Sequence, residues 1–300
     1  MSQPFAVHPF EYTPGRIPVL VELPHGGHLT PDEVKSYLHP KFTPGDRRED
    51  SDEFSDEIYL DLPAAPHILR FLIWRAHADP NRTCDDLDAD GAVKTLTSQG
   101  IKIYQSDRGL PKQVRQQVID RYIRPHRQRL AELLLSPMIE KVVFCHTMPG
   151  IGTGSSADRG ELRPLFMFGN AGDEKGNPPN DCFAARGLLL ALAEIVETSI
   201  GDLDVDFNFC DVLRFNHPYT GINSLSRFDA ADLRGKHPFT IEINRDLLLH
   251  NPDNIEPTRA IVNRIMLALA DWGNADDRPT EPNHARPTPR DRADDTADAR

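Results

Sequence analysis

The stretch Ile17-Pro18-Val19-Leu20-Val21-Glu22-Leu23-Pro24-His25-Gly26-Gly27 decides how the rest of the chain is read. Residues 17–23 form a short apolar run of the length and kind that buried strands use. His25 follows that strand directly, so a reactive side chain stands at a strand's carboxyl end. The pattern recurs. Residues 68–74 (ILRFLIW), 141–145 (KVVFC) and 239–243 (FTIEI) read as further buried strands. Helical patterns lie between them, at 52–61, 111–135 with an interruption at Pro125, 182–198 and 257–272. Strands alternating with amphipathic helices predict an α/β fold around a mixed, largely parallel sheet.

The chain has 300 residues, 39% hydrophobic and 27% charged, an ordinary globular composition. We expect one folded domain over residues 1–272. Residues 273–300 are rich in Asp, Arg, Pro and Thr and lack large apolar side chains, so a disordered tail is expected there. The net charge of -12 argues against nucleic acid or an anionic membrane as partner. The longest apolar stretch, 187–196, is too short to span a bilayer. Cys84, Cys145, Cys182 and Cys210 form no C-x-x-C pair, and no signal peptide is apparent at the N-terminus. A reduced, cytoplasmic setting fits.

Polar clusters fall where strands end. Besides His25 these are Asp79-Pro80-Asn81-Arg82, His146 in Phe144-Cys145-His146-Thr147, and Glu242 in Thr240-Ile241-Glu242-Ile243-Asn244-Arg245. Ligands of open α/β sheets bind at the carboxyl ends of strands. Hydrolytic zinc takes three ligands from His and carboxylate and leaves a position for water. His25 and His146 fit the nitrogen ligands. The third could come from Glu49-Asp50-Ser51-Asp52-Glu53, which could equally cap a helix. It could also be His28, at ligand-like spacing from His25. Glu242 lies among apolar neighbours, where a carboxylate is costly unless it is paired or works as a base. Arg82 and Arg75, with Asn81, could hold a substrate carboxylate, or could pair with Asp79 or Asp85. Asp86-x-Asp88-x-Asp90-Gly91 mimics the start of a calcium loop but has Thr97 at the twelfth position. The glycine-rich run 150–156 lacks the lysine of a phosphate loop and reads as a loop beside the site. His126 reads as a packed helix histidine.

Taken in order, these motifs resemble the N-formylglutamate amidohydrolase family over most of residues 19–250. Pro24-His25-Gly26-Gly27 is similar to the family's P-H-S-G, with Gly in place of Ser. Residues 52–59 (DEFSDEIY) are similar to D-x-F-x-D-E-L-Y. Arg75 to Arg82 (RAHADPNR) resembles S-R-x-x-x-D-x-N-R, and Cys145-His146-Thr147-Met148-Pro149 resembles D-x-H-S-M/I-P. Pro218-Tyr219-Thr220-Gly221 resembles P-x-x-G-G, and Ile241 to Arg245 the closing hydrophobic-E-hydrophobic-x-R strand. The resemblance implies a three-layer α/β/α sandwich like that of zinc carboxypeptidases. It implies one zinc on His25, Asp52 and His146, choosing Asp52 over His28, with Glu242 as base. It further implies that Arg82 and neighbouring polar groups (Arg75, Asn81, Thr220, Gly221, Asn244 and Arg245) bind a small, carboxylate-bearing amide. Two other readings keep the same residues: a carboxypeptidase-like or cell-wall peptide amidase, and a protein that binds a carboxylate or metal without turnover.

Overall fold

Alternation along β2 (Ile17–Leu23) sets up the layers. The computed structural model describes residues 8–273 except 87, 155, 204–210, 226 and 229, so Cys210 and the tail expected from 274 onward lie outside the described residues. Val19, Val21 and Leu23 face one core together with the helices Ser55–Tyr59, Arg186–Ser199 and Ile255–Asp271. Leu20 faces the other way and packs with Leu130, Leu133 and Leu134 of the helix Arg124–Leu134. Side chains that alternate across a sheet with both faces covered give three layers, helices over sheet over helices.

The sheet has seven strands in the order β1-β3-β2-β4-β7-β5-β6. The others are β1 (Phe10–Thr13), β3 (Pro66–Phe71), β4 (Lys141–Met148), β5 (Phe166–Gly169), β6 (Leu213–Phe215) and β7 (Phe239–Asn244). Pairs β2–β3, β2–β4, β4–β7 and β5–β6 are parallel, while β1–β3 and β5–β7 are antiparallel. The mixed, mostly parallel α/β sheet expected from the sequence is present. Strands β1, β5 and β6 were not foreseen.

Two expected helices take a different form. The pattern at 111–135 runs as the helices Lys112–Val118 and Arg124–Leu134, joined by a π-helical turn, Ile119–Ile123. Pro125 therefore does not break it: the wider turn absorbs the missing N–H. The helix expected at 52–61 is only Ser55–Tyr59, because Phe54 at φ 69° is left-handed. A left-handed residue cannot continue a right-handed turn, and so Asp52 lies in a connecting turn ahead of the helix.

Candidate metal centre

Three chain segments deliver the candidate ligands to one buried point. Gly27 lets the chain leave β2 tightly: a Cβ there would stand 2.3 Å from the Leu72 carbonyl carbon, so only glycine allows the approach. His25, just before it, is 2% exposed. His146 lies in β4, directly across from Glu242 of β7 in the parallel register, so both side chains project from the same face. Asp52 comes from the turn at 50–54. That turn is fastened by Arg245 Nη1 donating to the Ser51 carbonyl at 2.8 Å and by Thr147 Oγ1 donating to the Glu53 carbonyl at 2.8 Å.

Asp52 Oδ2 stands 2.8 Å from His146 Nδ1 and 3.3 Å from His25 Nδ1. One donor atom from each of His25, Asp52 and His146 lies within 4.8 Å of the other two. Asp52 does not cap the helix that follows, whose N-cap is Phe54 with no side-chain bond. His28 is exposed, beside Trp74, and outside the cluster.

The other nitrogen of His25 explains the arrangement. Asp79 is fully buried, and its Oδ1 accepts from His25 Nε2 at 2.9 Å. An ionised carboxylate only accepts, so Nε2 carries the proton and Nδ1 presents its lone pair toward Asp52 and His146. That Nδ1 is buried without a hydrogen bond. Histidine metal ligands are typically held this way, by a carboxylate on the far nitrogen. The donor set and the orphaned nitrogen therefore fit a divalent metal. Burial would lower the His25 pKa, but the Asp79 and Asp52 charges outweigh it and raise it. Asp79 itself is held well below the usual carboxylate range; His25 and Arg75 overcome the cost of its burial.

A cavity of about 390 Å³ opens over this cluster. Glu242 lines it, and among the described residues its carboxylate makes no hydrogen bond. Burial pushes that carboxyl up to about 7, with Asp52 adding to the shift and His146 opposing it. Arg75, Asn81, Arg82, Thr220, Gly221 and Arg245 also line the cavity. Arg75 donates to Asp79 through Nε alone, at 3.1 Å. Arg82 is more committed: Nε and Nη2 donate to Asp90, and Nη1 reaches the Asn81 carbonyl at 3.5 Å. Asn81 Oδ1 is buried and unpaired. Asn244, expected among the substrate-binding residues, is not in the cavity wall. Its Oδ1 accepts from the Asp246 N–H at 3.0 Å, closing a turn after β7. His126 is fully buried against Phe10 and Phe71, 3.7 Å from Glu22, and does not reach the cavity.

Several participants escaped the sequence reading. Asp79 looked like a partner for arginine, and it serves His25 as well. Ser224 Oγ stands 3.4 Å from His146 Nε2. Its segment is pinned by Arg227, which donates to both Glu22 oxygens at 3.1 and 2.9 Å and to the Pro80 carbonyl at 2.8 Å. The apolar-strand Glu22 was the available signal, since a buried acid needs a cation.

A buried His–Asp–His cluster beside a carboxylate, at the strand ends of an α/β sheet, is the donor set of metal-dependent hydrolases. Residues 17–249 match N-formylglutamate amidohydrolase, and the chain belongs to that amidohydrolase family, whose members act on a carbon–nitrogen bond. Solved structures agree on the fold. An N-formylglutamate amidohydrolase from Ralstonia eutropha JMP134 is 18% identical, with 89% of this chain and 98% of that one covered at a TM-score of 0.65. The gene product Atu2144 from Agrobacterium tumefaciens is 15% identical, with 88% and 96% covered and a TM-score of 0.63. No curated protein matches the sequence significantly. No helix among the described residues is long and apolar enough to cross a membrane.

Proposed function

We infer that the chain hydrolyses the amide of a small N-formyl or N-acyl amino acid with an acidic side chain, using one zinc held by His25, Asp52 and His146. The observation that carries this reading is the buried cluster with Glu242 across from His146 in one cavity. A metal in such a site polarises the scissile carbonyl and lowers the pKa of water. Glu242 accepts a proton from the attacking water and returns it to the departing nitrogen. Arg75 is placed to take the substrate carboxylate, since its two terminal nitrogens make no hydrogen bond among the described residues, while Arg82 and Asn81 complete that wall. Asp79 keeps His25 in the tautomer that a ligand needs. The unpaired Cys84, Cys145 and Cys182 support a reducing, cytoplasmic setting.

The test is release of free amine by zinc-loaded protein from a panel of N-formyl and N-acyl amino acids and short peptides. Turnover of N-formylglutamate or a close acidic analogue is expected. Cleavage of peptides alone would make the chain a peptide amidase. A zinc-loaded protein that turns over nothing in the panel would leave a binding role.

A further inference from the structure

A buried guanidinium joins two loops at the cavity. Arg163 is 1% exposed although it carries a full charge, and a charge so placed must be paired. Its Nε and Nη2 donate to the two oxygens of Asp158 at 2.7 and 2.9 Å, a planar fork on a buried carboxylate. Nη1 donates to the Pro149 carbonyl at 3.3 Å. The guanidinium carbon lies 4.9 Å from the centre of the Tyr219 ring, so the cation also rests on an aromatic face.

These contacts reach two separate walls. Backbone bonds from Arg163 N to Gly150 O and from Gly152 N to Glu161 O, both 2.9 Å, close residues 149–163 into a loop. That loop offers Thr153 and Ser156 to the cavity, and Tyr219 faces the cavity from the segment that follows β6. Glycine at 150, 152 and 154 gives the loop little stiffness of its own. Its shape depends on the bonds that cross it, and Arg163 makes four of them, three from its side chain and one from its backbone N–H, while also touching the opposite wall. Tyr219 and Glu242 line the same cavity.

We propose that Arg163 is a positioning residue: stacked on Tyr219, it sets where that ring stands over the cavity and so how substrate fits beside Glu242. The inference rests on the amidohydrolase reading. A residue that only braced the 149–163 loop would need its ion pair with Asp158 and nothing more. Arg163→Lys separates the two roles, because one ammonium keeps the charge but cannot span Asp158, Pro149 and the ring together.

The experiment uses the zinc-loaded full chain and four proteins: wild type, Arg163→Lys, Tyr219→Ala and the double variant. With N-formylglutamate, Arg163→Lys should lower kcat/KM about tenfold, mainly through KM. In the Tyr219→Ala background the same change should have less than about a twofold effect, because the partner is gone. Amide hydrogen exchange, which needs no activity, should quicken about tenfold in peptides covering 218–221 as well as 149–163. Equal losses in both backgrounds, or exchange that quickens in 149–163 alone, would overturn the proposal. If the wild type turns over no amide, the hydrolase reading fails, and the exchange measurement alone decides whether Arg163 couples the loops.

Discussion

Replacing Asp79 with Asn probes the candidate metal centre through a residue outside its His25, Asp52 and His146 donor set. The carboxylate is fully buried and collects three donors: His25 Nε2 at 2.9 Å, Arg75 Nε at 3.1 Å and the Asn81 N–H at 2.8 Å. Asparagine keeps the volume but offers one accepting oxygen, and its amide group must face one of those donors. Two losses follow. His25 loses the anion that fixes its tautomer, and such partners are worth about 10–100-fold in metal affinity. That is about 1.4–2.7 kcal/mol at 1.36 kcal/mol per decade. Arg75 loses its buried counter-charge, a change that costs about 3–5 kcal/mol for a sealed pair. Its side chain is 19% exposed, so water from the cavity can relieve part of that cost. The assay is zinc affinity by competition with a chromophoric chelator, alongside calorimetry of the metal-free protein. A folded variant with a zinc Kd within about twofold of wild type would refute the assignment of Asp79 as the group that orients His25.

Glu242→Gln should keep wild-type zinc stoichiometry while amine release falls by about 10²–10⁴-fold, the span of general acid–base catalysis; a loss under about tenfold would remove Glu242 as base. Arg227→Ala leaves Glu22 buried and uncompensated, since both side chains are 0% exposed. Urea unfolding should show a loss of about 3–5 kcal/mol, and a change below about 1 kcal/mol would mean that other groups already neutralise Glu22.

The four longest strands and the reactive residues at their ends were legible because buried parallel strands write themselves as continuous apolar runs. Strands β5 and β6, of four and three residues, are too short for periodicity to mark them, and β5 is inserted antiparallel beside β7 by packing that no local pattern encodes. His25 was visible as a residue just past a strand end, while His146, read as ending the run 141–145, lies inside β4, which continues to Met148. Asp52 was ambiguous because its position depends on one left-handed residue, Phe54, which carries no sequence signature. The dual service of Asp79, the Glu22–Arg227 pair and the reach of Arg163 are long-range contacts; Glu22 and Arg227 stand 205 residues apart. Only the fold reveals such pairings.

Strand β1 has a consequence away from the metal centre. Its four residues pair with β3 from Phe10↔Phe71 to Thr13↔Ile68. Without that cover, β3 would end the sheet with a six-residue stretch, Pro-His-Ile-Leu-Arg-Phe, whose backbone groups would face solvent. Unpaired apolar edges of this kind template association between chains. β1 is shorter, half-exposed, and carries Glu11 beside Arg70, a charged rim that does not invite a further strand. A chain clipped ahead of Gly15 would keep every residue of the metal centre and still acquire an adhesive border, so its first failure would be colloidal rather than catalytic.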